Sequence, residues 1–107
     1  MIGNRVVINR GDSWTLALDL ANYSIIANTT IYFGLMDPHQ PFENALVKKK
    51  IVISQAGKVT FDLKASDTLD LEPGVYFYAV KMHKVNKANN IDEVITIIDK
   101  TKFIIND

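Results

Sequence analysis

The chain has 107 residues, 12 lysines and arginines against 12 aspartates and glutamates, 48% hydrophobic residues and 22% charged ones. That length suits one domain able to bury about 65% of the surface its unfolded form exposes, and the composition is far from that of disordered proteins. Balanced charge leaves no long-range field to gather nucleic acid or an anionic membrane, and the lack of cysteine excludes disulfides, thiolate nucleophiles and thiolate metal sites.

The opening Met1-Ile2-Gly3-Asn4-Arg5 lacks the charged-then-apolar layout of a secretory signal, and no apolar run approaches the roughly 18 residues of a membrane helix. The expectation is a soluble product kept in the cytosol or released by lysis. A weak strand, "RVVIN", comes first. Asn9-Arg10-Gly11-Asp12-Ser13-Trp14 follows and contains RGDS, letters that resemble the integrin-recognition tetrapeptide of animal adhesion proteins. These residues lie between one strand ending near Asn9 and another beginning near Ser13, where a tight turn is required. Glycine and aspartate tolerate the backbone angles of such turns, so a turn is predicted rather than an adhesion site.

"SWTLALDL" alternates cleanly, with Trp14, Leu16, Leu18 and Leu20 on one face. Ile31, Phe33 and Leu35 repeat the pattern in "TTIYFGLM", and Val59, Phe61 and Leu63 repeat it in "GKVTFDL". "ALVKKKIVIS" between them is a weaker strand. "KASDTLDLEPG" carries the one helical hint, a single turn capped by Ser66 or Asp67 and ended by Pro73. "GVYFYAVKMH" is apolar on both faces, as a central strand would be. "DEVITIID" and "TKFIIN" close the chain, with Asp99-Lys100 expected to break or bulge one long strand. Turn signals at Gly11-Asp12, Asp37-Pro38, Gln55-Ala56-Gly57, Glu72-Pro73-Gly74 and Asn89-Asn90 separate seven or eight strands. Their spacing predicts an all-β fold, an antiparallel β-sandwich or barrel in one domain spanning 1–107.

The usual supports of catalysis are missing from this pattern. His39 in "DPHQP" and His83 in "KMHK" have no zinc-site spacing, and Asp37 with His39 would need two further ligands. Ser13, Ser24, Ser54 and Ser66 are outside any nucleophile elbow, and the single glycines at 3, 11, 34, 57 and 74 form no phosphate loop. No enzyme activity, cofactor or metal is expected. Lys48-Lys49-Lys50 beside Tyr32 has the ingredients of a single-strand nucleic-acid face, but lysines on a strand more often protect an edge. The sequons Asn22-Tyr23-Ser24 and Asn28-Thr29-Thr30 matter only in a secreting eukaryote.

Glu72, Gly74 and Tyr76 stand at two-residue steps entering the central strand. They resemble the tyrosine corner of immunoglobulin-like sandwiches, whose tyrosine hydroxyl bonds a backbone group a few residues upstream, and Tyr78 stands where antibody domains carry a cysteine. The order "RGDSWTLALDL", "IYFGLMDP", "GKVTFDLKASDTLDLEPGVYFYAVKM", "EVITIIDKTKFII" is similar, over nearly the full length, to the immunoglobulin-like domain of bacteriophage and prophage tail proteins, including the N-terminal domain of baseplate upper proteins. The resemblance implies a non-enzymatic virion structural protein, made in the bacterial host cytoplasm. Its partners would be copies of itself or other phage structural proteins, without nucleic acid or membrane.

Ile95, Ile97, Ile98, Ile104 and Ile105 crowd both faces of the last two strands. A single sandwich covers one face of each sheet, so Ile95, Ile97 and Ile104 are the expected assembly surface, unless a loop or the other sheet of the same chain covers them. The alternative is a carbohydrate-binding or adhesion module, which requires Trp14, Tyr23, Tyr32, Phe42 or Tyr76 to cluster in the open. Trp14 is expected inside, because it shares a face with three leucines.

Overall fold

The computed structural model describes residues 4–26 and 28–107; Met1, Ile2 and Gly3 of the opening segment lie outside them. Among the described residues seven strands form in chain order: β1 (Val6–Asn9), β2 (Trp14–Asp19), β3 (Thr29–Met36), β4 (Val47–Ile53), β5 (Lys58–Leu63), β6 (Gly74–Asn86) and β7 (Ile91–Asn106). One helical turn, α1 (Ala65–Leu69), joins β5 to β6. Lys64, not Ser66 or Asp67, is its N-cap residue, and the Asp67 carboxylate reaches back to accept from the Lys64 N–H at 2.8 Å.

Five strands make one sheet in the order β1-β7-β6-β3-β4, and β2 pairs with β5 in a second. The fold is therefore all-β and sandwich-like. The expectation of a wholly antiparallel arrangement fails at β1, which runs parallel to β7 with Val6 opposite Phe103 and Ile8 opposite Ile105. The link from β1 to β2 explains this: the RGDS turn carries the chain from one sheet to the other instead of folding it back beside β1.

The period of two read in β2, β3 and β5 is the period of burial. Leu18, Ile31, Phe33, Leu35, Val59, Phe61 and Leu63 meet Tyr76, Tyr78, Val80 and Met82 of β6 in one core. Trp14 joins it from the rim, with its ring centroid 5.1 Å from Phe103 and 5.5 Å from Tyr78, both edge-to-face.

"DEVITIIDKTKFIIN" is one continuous strand with bulges rather than two strands. Between Tyr78↔Thr101 and Lys81↔Thr96, three steps along β6 face five along β7. The extra residues interrupt alternation, so Ile97 and Ile98 both turn inward. Ile97 is 0% exposed, which removes it from the expected assembly surface. Ile95 and Ile104 are half-buried.

Candidate functional site

The RGDS letters are built into the scaffold. Gly11 adopts φ +87°, a left-handed conformation that favours glycine, and the Asp12 N–H closes the turn on the Asn9 carbonyl at 3.0 Å. The Asp12 carboxylate accepts from the Asn9 N–H at 3.1 Å. Behind the turn, fully buried Thr68 of α1 accepts from the Gly11 N–H at 3.1 Å and donates to the Asp12 carbonyl at 2.9 Å. A loop presenting Arg10 and Asp12 to a receptor would leave these groups freer. Thr68 gave no signal in the sequence, because its two partners are 56 and 57 positions away.

At the other end of α1, the Tyr76 hydroxyl donates to the Glu72 carbonyl at 2.6 Å, and Gly74, opposite Ile105, opens β6. Burial, then the negative charges of Asp37 and Glu72, push the Tyr76 phenol above its ordinary pKa. Burial alone does the same to Tyr78.

The outer face of the five-stranded sheet holds the remaining candidates. Val7, Ile104 and Val75 are directly opposite one another on β1, β7 and β6, and form an apolar row across three strands. Val7 is 51% exposed and Val75 46%.

Further along the same face, the β3–β4 connection folds back as a wall. Its Phe42 ring fills the space above Gly34, where a Cβ would come within 2.8 Å of the ring. The Lys100 ammonium holds this wall from β7 by donating to the Gln40 carbonyl at 3.0 Å, and the Lys81 ammonium lies 5.0 Å from the centroid of the Phe42 ring. Beside the wall is a groove of about 480 Å³ lined by Tyr32, Phe42, Glu43, Lys48, Lys81, His83 and Val94. A groove of that size holds a small ligand. Of the aromatics named as a test of glycan binding, Tyr32 and Phe42 meet here, Tyr76 is buried, and Trp14 and Tyr23 pack on the core.

The three consecutive lysines divide by strand parity. Lys49 turns inward and pairs with Asp67 at 3.0 Å, while Lys48 and Lys50 face out. His83 bonds Asp92 at 2.7 Å across the β6–β7 hairpin, and His39 is exposed. Among the described residues, no three His, Asp or Glu side chains converge as metal ligands would. No protein-family model, curated protein or solved structure matches this chain.

Proposed function

We propose that the chain is an immunoglobulin-like sandwich serving as a non-enzymatic structural module of a bacteriophage or prophage virion, in a tail, baseplate or accessory assembly. On this reading it works by contact with copies of itself or with other virion proteins. Three features of the scaffold support the immunoglobulin-like part. The order β7-β6-β3 opposite β2-β5 parallels the two layers of that fold. The Tyr76–Glu72 bond has the geometry of a tyrosine corner. Tyr78, two residues on, packs edge-to-face against Trp14.

The observation that carries the assembly role is the row Val7–Ile104–Val75. A sheet face that opens on water ordinarily alternates to polar residues, whereas here three adjoining strands each present an aliphatic side chain at one level. Sedimentation velocity across a concentration series tests the role. Self-association, or capture of a purified tail or baseplate protein, is the expected result, and Val75→Asp abolishes it without changing the circular dichroism spectrum. A wild-type protein that stays monomeric and binds none of those partners overturns the proposal.

A second reading, a carbohydrate-binding module, is favoured by one observation: Tyr32 and Phe42 share a single groove on an open sheet face.

A further inference from the structure

We propose that this groove is a site for an acidic saccharide, a sugar unit bearing a carboxylate or phosphate, with its ring on Tyr32 and its anion at Lys48 and Lys81. The inference rests on the carbohydrate-binding reading and specifies its ligand.

Register places the charges. Tyr32 on β3 is directly opposite Lys50 on β4 and Lys81 on β6. Directly opposed side chains on one face of an antiparallel pair have Cβ atoms about 5 Å apart, so a lysine stem flanks Tyr32 on each side. Lys48, two residues from Lys50, lines the groove itself. Among the described residues, none of these three lysines has a carboxylate within 4.0 Å, although Lys49 next to them does. Two lysines, Lys48 and Lys81, line the groove against one carboxylate, Glu43, which leaves a local excess of cation in a chain with equal numbers of acidic and basic residues.

Protection of a sheet edge accounts for Lys48 and Lys50 on the outermost strand, but not for Lys81. Lys81 is on β6, inside the sheet between β3 and β7, and half-buried. Its charge is positioned against Phe42, and Phe42 approaches the sheet only because residue 34 lacks a Cβ. The aromatic wall and the lysine are therefore one packed unit. His83, oriented by Asp92, and the Tyr32 hydroxyl add hydrogen-bonding groups for sugar hydroxyls.

The same features disfavour two other occupants. A nucleic-acid strand binds along a basic track with successive stacking rings, whereas Phe42 is engaged by Lys81 and leaves Tyr32 as the one free platform in the groove. A peptide adding as a strand needs unpaired backbone groups, and those of β3 and β6 beneath the groove are already paired to neighbours on both sides.

NMR titration of the intact chain with trigalacturonate, sialyllactose and mannose phosphate tests the proposal, with neutral lactose and a short oligothymidylate as counter-probes. At least one acidic saccharide is expected to shift the Tyr32, Lys81 and His83 amides with a Kd of about 1 mM or tighter. Lactose is then at least about tenfold weaker, and Lys81→Met, which keeps the aliphatic stem over Phe42, removes that preference while lowering the melting temperature by only about 2–5 °C. Equal binding of lactose at the groove overturns the acidic specificity and leaves the carbohydrate reading standing. Failure of every saccharide overturns both, and preferential binding of oligothymidylate overturns the proposal in favour of nucleic acid.

Discussion

The Tyr78 hydroxyl donates a 2.8 Å hydrogen bond to the carbonyl of Asn4, tying the middle of β6 to the residues ahead of β1 across 74 positions. Tyr78 is 1% exposed, and its ring also packs against Trp14, Phe33 and Phe103. Tyr78→Phe keeps the packing and leaves the Asn4 carbonyl without this donor. The expected loss is about 1–2 kcal/mol in urea unfolding, a fall of roughly 5–10 °C in Tm. Amide exchange in β1 should accelerate more than in β5, because the lost bond anchors only the first.

The two core-facing tyrosines couple stability to alkaline pH. Both phenols have folded pKa values raised above 10.0, so the folded state holds their protons more tightly than the unfolded state does. Their contribution is complete below about pH 10 and is lost as pH rises through the folded values. Unfolding free energy measured from neutral to strongly alkaline pH should fall above pH 10, and the Tyr76→Phe, Tyr78→Phe double variant should flatten that limb.

Thr68 is a hinge pin for the RGDS turn. Replacing its hydroxyl with a methyl group in Thr68→Val strands the Gly11 N–H and the Asp12 carbonyl, at an expected cost of about 2 kcal/mol, whereas Thr68→Ser retains most of the stability. Denaturant midpoints of the pair provide the check. Asp12→Ala loses less, about 1 kcal/mol, because only the bond to the exposed Asn9 N–H disappears.

Gly34→Ala should destabilise by about 1–3 kcal/mol, since the new methyl meets the Phe42 ring at 2.8 Å and the Ala45 Cβ at 3.2 Å. Removing the obstructing ring in Gly34→Ala, Phe42→Ala should recover part of that loss relative to the sum of the two single variants. A double-mutant cycle on thermal unfolding measures the coupling. Additive effects would mean that the wall does not rest on Gly34.

Much of this architecture is legible in short windows. Alternation in "SWTLALDL", "TTIYFGLM" and "GKVTFDL" predicts which side chains reach the core, because adjacent residues of a strand face opposite ways. Turn chemistry predicts the bend at Gly11-Asp12 and the irregularity around Asp99-Lys100 for equally local reasons. Trp14 follows its leucines toward the core, though it stays half-buried at the rim. The isoleucine-rich end misleads the same rule. Five isoleucines look like two apolar faces, but the bulges in β7 rotate Ile97 and Ile98 into one core, and only Ile104 joins an exposed apolar row.

The candidate site is less legible, since its parts are brought together by pairings among residues far apart. "KKK" says nothing of which lysine faces out until β4 takes its register beside β3, and Lys81 becomes a neighbour of Tyr32 only through the β3–β6 ladder. The parallel course of β1, the seat of Phe42 on Gly34 and the grip of Thr68 on the turn have the same origin. Strand identity, turn positions and most of the core follow from neighbours along the chain, whose geometry a two-residue repeat dictates. Sheet order, bulge-driven burial and the cationic groove arise from contacts between distant segments, where many pairings satisfy the same local pattern and packing of the whole selects one.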